Sequence, residues 1–83
     1  MRVLYFARFR QIIGRGSDEI TVPADIVTVG ALLEHLAAMD ARCAEAFSNR
    51  KIVRAAIDQN HATLDQSILS AREVAFFPPV TGG

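Results

Sequence analysis

The stretch Thr28-Val29-Gly30-Ala31-Leu32-Leu33-Glu34-His35-Leu36-Ala37-Ala38-Met39 decides the fold. Val29, Leu32, Leu33, Leu36 and Met39 recur at spacings of three, one, three and three, the period of an amphipathic helix with one buried stripe. Thr28 is placed to accept a backbone N–H as N-cap, and Glu34 and His35 fall on the outer side. Asp40 predicts a break, followed by a further helical stretch holding Cys43, Ala44 and Phe47. Ser48-Asn49-Arg50-Lys51 closes the helical region.

Strand patterns lie on both sides of this helix. Val3 to Phe9 predicts a strand with Val3, Tyr5, Ala7 and Phe9 on one face and Leu4 and Phe6 on the other; apolar residues on both faces suit a central position. Gly14-Arg15-Gly16-Ser17-Asp18 signals a turn. Ile20 and Val22 then alternate with Glu19 and Thr21 until Pro23, which completes a hairpin with a long loop. After the helix, Ile52 to Ile57 predicts a third strand, Asp58-Gln59-Asn60 a turn, His61 to Leu64 a fourth strand and Asp65-Gln66-Ser67 another turn. The last strand runs from Val74 to Phe77, where Pro78 removes a ladder donor and Pro79 enforces extension.

The order is therefore ββαβββ, an α+β chain whose mixed sheet of about five strands has one main helix packed on one face. The other face is left for a partner. Strand side chains alternate, so Phe76 and Phe77 point to opposite faces. Val74 shares the face of Phe76, which predicts Phe76 in the core and Phe77 available for docking. Residues 1–80 are expected to form a single domain and residues 81–83 a flexible Gly-Gly tail.

Composition narrows the function. Nine basic and nine acidic residues cancel, and no basic stripe runs along any segment, so nucleic-acid binding has no electrostatic support. Arg8 and Arg10 interrupt the apolar run from Val3 to Ala7 before it reaches the length of a membrane span. Cys43 is the only cysteine, which excludes an internal disulfide and points to a reducing compartment, with the cytoplasm expected. His35 and His61 have no Cys or His at ligand spacing, so no metal site is expected. Cys43 lies on the helical period, with no basic cluster beside it to make a thiolate, and reads as a small buried hydrophobe.

What remains is the end, Phe76-Phe77-Pro78-Pro79-Val80-Thr81-Gly82-Gly83. The α-carboxylate of Gly83 is a poor electrophile when ionised, so an outside enzyme has to activate it. Gly82 and Gly83 lack side chains and can thread a narrow channel. Thr81 and Val80 extend their reach. The prolines limit the disorder to be frozen on insertion.

The segment Val74 to Gly83, with Val3-Leu4-Tyr5-Phe6-Ala7 and the run from Arg10 to Gly14, resembles the small sulfur-carrying subunits of molybdopterin synthases, a β-grasp, ubiquitin-like family. The resemblance implies that an ATP-dependent enzyme adenylates Gly83 and that sulfur then replaces AMP to give a C-terminal thiocarboxylate. It implies a heterotetramer with the large synthase subunit, whose pocket takes up Val80, Thr81 and Gly82, with Phe77, Pro78 and Pro79 as the partner-binding segment. The sulfur would pass to cyclic pyranopterin monophosphate in molybdenum cofactor biosynthesis. No cofactor would be bound by this chain itself; ATP belongs to the activating enzyme. Ser70-Ala71-Arg72-Glu73 departs from the glycine-containing acidic turn frequent in that family. Three other readings share the sequence features: a sulfur carrier for thiamine, cysteine or tRNA thiolation, a ubiquitin-like modifier joined to lysines through Gly83, and an interaction module without tail chemistry.

Overall fold

Val3 and Tyr5 on one strand and Val74 and Phe76 on another meet side by side and are wholly or almost wholly buried. They belong to β1 (Arg2–Tyr5) and β5 (Glu73–Phe77), which pair in parallel with Val3 opposite Val74 and Tyr5 opposite Phe76. β3 (Arg54–Ile57) runs antiparallel along the other side of β5. β2 (Ser17–Glu19) flanks β1 and β4 (Asn60–Ala62) flanks β3, giving the order β2-β1-β5-β3-β4. This arrangement is seen in a computed structural model that describes residues 1–79.

The main helix, α2 (Val29–Met39), forms as its periodicity predicts. Thr28 Oγ1 accepts the Ala31 N–H at 3.1 Å, and Val29, Leu32, Leu33 and Leu36 are buried. Met39 departs from the expected stripe and is 63 % exposed, because the buried face ends one turn earlier, where Asp40 redirects the chain. Asp40 is extended. Its N–H closes α2 on Leu36 O at 3.1 Å, and its carboxylate caps α3 (Ala41–Ala46) by accepting the Arg42 N–H at 2.8 Å. From α3 and its C-cap, Cys43, Ala46 and Phe47 enter the core, while Ala44 is exposed. Phe47 lies 5.2 Å from Phe9 and 5.3 Å from Phe76, ring centre to ring centre, within the range of favourable aromatic pairs.

Several strand boundaries differ from the sequence expectation. β1 stops at Tyr5, and Ala7–Ile13 is a helix, α1, instead of the second half of a strand. Ala7 turns the chain with a φ of 52°, after which Phe9 and Ile13, one helical turn apart, are both fully buried. Gly14 ends α1 in the left-handed region at φ 86°, donating its N–H to Arg10 O, the usual reason for glycine at this position. β2 covers Ser17–Glu19, and Ile20 and Val22 pack against the core beyond its end. A 3₁₀ turn at Arg50–Ile52 shortens the third strand.

The fourth strand stops at Ala62 because the following loop has another task. Its carbonyls at Leu64 and Gln66 accept the N–H groups of Gly30 and Val29 at 2.7 and 3.0 Å, donors that the first turn of α2 cannot satisfy internally. A Cβ on Gly30 would sit 3.1 Å from Leu64 O, so glycine lets this loop approach.

One polar network ties the edge strand to the helical layer. The Tyr5 hydroxyl donates to Asp18 Oδ2 at 2.8 Å, and Arg15 bridges Asp18 and Asp40 at 2.7 Å each. The Arg15 guanidinium, helped by the Tyr5 hydroxyl, holds the Asp18 carboxyl below its ordinary range. Tyr5 is pushed far above the usual phenol range by burial first and by its bond to Asp18 second.

Two outcomes are expected. Phe76→Ala should cost about 3–5 kcal/mol in denaturant unfolding, as truncation of a fully buried aromatic residue does. A carboxylate held low in the fold contributes stability above its unfolded pKa, lost as pH falls through the folded value. Melting temperature should therefore fall as pH drops through and below the ordinary carboxylate range, and Asp18→Asn should flatten that dependence.

The open sheet face and the tail exit

The three α-helices among the described residues cover one side of the sheet. The register assigns the residues of the other side: Ser17 and Glu19 from β2, Arg2 and Leu4 from β1, Glu73, Ala75 and Phe77 from β5, Arg54 and Ala56 from β3, and His61 from β4. Phe6 prolongs the row of Leu4. Its backbone is still extended, its N–H donates to Phe76 O at 3.1 Å, and its side chain is 45 % exposed. Leu4, Phe6, Ala56, Ala75 and Phe77 thus form an apolar area on a face that, among the described residues, no element covers.

Phe76 and Phe77 separate as alternation predicts: Phe76 is fully buried under Phe47, while Phe77 is half-buried on the open face. The His61 ring stands edge-on to Phe77 at 5.5 Å and 85°, limiting its freedom. Pro78 and Pro79 follow, both half-buried. Pairing of β5 with β3 ends at Phe77, opposite Arg54, so the chain leaves the sheet beside the apolar area. The expected tail residues Val80, Thr81, Gly82 and Gly83 lie outside the described residues.

The other reactive side chains do not converge. His35 is on the helical side and His61 on the open face, and among the described residues no three metal-ligating side chains come together. Cys43 is buried, and burial first, with the Asp40 charge second, pushes its thiol pKa up, away from thiolate chemistry. No helix among the described residues is long and apolar enough to cross a membrane. Sequence reasoning missed the Tyr5–Asp18–Arg15–Asp40 network. Its directly bonded members are up to 25 positions apart, and no spacing rule links them.

The small sheet, the single covered face and the terminal strand match a known family over nearly the whole chain: the model of the ThiS family aligns with residues 3–83. The chain belongs to the ThiS family. Members of this family are sulfur carriers with a β-grasp, ubiquitin-like fold, and this chain is a carrier of that kind, a substrate-bearing protein and not a catalyst. The molybdopterin synthase sulfur carrier subunit of Escherichia coli (strain K12) is 43 % identical over 83 residues, covering 100 % of this chain and 99 % of the relative. The corresponding Haemophilus influenzae subunit is 40 % identical with the same coverage. A putative molybdopterin converting factor, subunit 1, from Pyrococcus furiosus superposes with a TM-score of 0.68 at 27 % identity, covering 95 % of each chain. Small archaeal modifier protein 1 of Haloferax volcanii shares the fold, with a TM-score of 0.72, 23 % identity and 95 % of each chain covered.

The family implies a partner enzyme in a sulfur-transfer pathway, and the open face offers the apolar surface on which its contact is expected. Phe77→Ala is expected to leave the melting temperature close to that of the wild type while weakening binding to a partner enzyme of the sulfur-transfer pathway by on the order of tenfold, measured by titration calorimetry.

Proposed function

We propose that this chain is the sulfur carrier subunit of a molybdopterin synthase. The observation that carries this reading is the full-length likeness, at 43 % identity, to the Escherichia coli subunit of that name. The geometry supports it, because β5 ends at Phe77 on an apolar face left open among the described residues, with Pro78 and Pro79 following directly.

In this reading the Gly83 carboxylate attacks the α-phosphate of ATP on an adenylating enzyme and pyrophosphate leaves. A sulfur donor then displaces AMP, and the terminus becomes a thiocarboxylate. Gly82, Thr81 and Val80 insert into the large synthase subunit, with Phe77, Pro78 and Pro79 lying against its entrance. Sulfur passes to cyclic pyranopterin monophosphate, and two rounds supply the two sulfurs of the dithiolene. The carrier works in the cytoplasm, in a heterotetramer of two small and two large subunits.

Cys43 has no part in this chemistry, since its thiol is buried and held protonated. The ThiS family model also accommodates delivery to a different acceptor, such as a thiamine precursor, and the identity of the acceptor is what the experiment has to decide.

Intact-mass measurement of the chain purified from its own cytosol should show replacement of one oxygen by sulfur at the terminus. The thiocarboxylated chain, mixed with the large subunit and cyclic pyranopterin monophosphate, should yield molybdopterin. A thiocarboxylate that forms but is not consumed in this mixture would overturn the molybdopterin assignment and leave the carrier role standing. Deleting Gly83 should abolish adenylate formation with the circular dichroism unchanged. Cys43→Ala should retain sulfur transfer and lose only about 1 kcal/mol of stability.

A further inference from the structure

We propose that Arg54 determines which activating enzyme this carrier accepts, by meeting a carboxylate at the edge of an apolar patch that covers Leu4, Ala75 and Phe77. The inference rests on the sulfur-carrier reading, and its basis is the distribution of charge over the open face.

At the end of the face far from the tail each carboxylate has a cation, Glu19 taking the Met1 amino group at 3.2 Å and Glu73 taking Arg2. Arg2 stands between Glu19 and Glu73 in the sheet register and pairs with Glu73 at 3.9 Å. At the tail end the face presents Ser17, Leu4, Phe6, Phe77 and His61, and Arg54 is the one charged residue of β3 there, directly opposite Phe77. Among the described residues no carboxylate lies within ion-pair distance of it. Its guanidinium is nonetheless held in place: Nη1 donates to Lys51 O at 2.8 Å and to Val53 O at 3.3 Å. The donors on Nε and Nη2 are left for a partner.

An enzyme that seals the apolar area has to press on Phe77, and Cβ atoms of directly opposed strand residues are only about 5 Å apart, so it strips water from Arg54 as well. A cation buried without a counter-charge is strongly disfavoured, so a partner lacking an acidic residue there is rejected, and one that has it gains a charge-assisted bond to an already ordered donor. Arg54 therefore selects by exclusion as much as by attraction.

The test is titration of the full chain with its purified ATP-dependent adenylating enzyme, over about 50 to 300 mM NaCl. Arg54→Glu should weaken binding by about tenfold or more, Arg54→Gln by less, and Arg54→Lys least of all. Arg54→Gln should also show a shallower loss of affinity with salt than the wild type. Arg72→Glu, a reversal at the other end of β5, should stay within about twofold of the wild type. Arg54 is exposed, so the variants should melt like the wild type, and Arg54→Gln serves as the informative variant if glutamate perturbs the strand. Affinity and salt dependence unchanged in both Arg54→Glu and Arg54→Gln would overturn the proposal. Wild-type chain that binds the adenylating enzyme but not the large synthase subunit would count against the molybdopterin assignment and leave the result for Arg54 valid.

Discussion

The parallel pairing of β1 with β5 is the constraint on which the rest depends. It places the first strand beside the last, opposes Val3 to Val74 and Tyr5 to Phe76, and so assembles the buried floor on which the helices pack. It also fixes the parity of everything downstream: with Phe76 committed to the core, Phe77 has to face outward and the chain has to leave beside Phe6 and Arg54. A register shift of one residue would exchange these roles, burying Phe77 and turning Phe76 outward.

Above that floor, the helical layer is held by two different kinds of contact. Phe47 inserts between Phe9, Phe76 and Tyr5 as an apolar plug, which makes α3, although only six residues long, the keystone of the core. Arg15 supplies the polar counterpart by joining Asp18 on β2 to Asp40 at the junction of α2 and α3. The apolar contacts carry most of the stability. The half-exposed ion pairs add a modest, salt-sensitive share and fix how the edge strand meets the helices.

Local signals were enough for much of this. The spacing from Val29 to Leu36, Thr28 as cap, the break at Asp40 and the split of Phe76 from Phe77 all follow from period, capping chemistry and alternation. The same logic, applied to Val3–Phe9, failed because alternation continues by coincidence through Ala7 and Phe9, while Phe9, Ile13 and the following Gly14 carry a helical spacing and stop that a strand reading overlooks. The short reach of β4 was invisible for another reason. Leu64 and Gln66 are claimed by the unsatisfied N–H groups of α2, a demand set in three dimensions. Of the site, the end of β5 was legible, whereas the unbalanced charge of Arg54 emerges only once the register brings Arg2 to its carboxylates and leaves Arg54 beside Phe77.

The central position of β5 also governs when during synthesis the molecule can exist. Every core strand contact of β5 joins residues 73–77 to segments made earlier, so a nascent chain lacking them has neither the middle of its sheet nor the floor beneath Phe47. Such non-local closure comes late in folding. A prematurely ended or stalled product therefore has no folded body, and the segment that carries the tail is the segment that completes the fold. The sheet is thus completed by the strand that comes last among the described residues, and a chain stopped before it has no body for a partner to recognise.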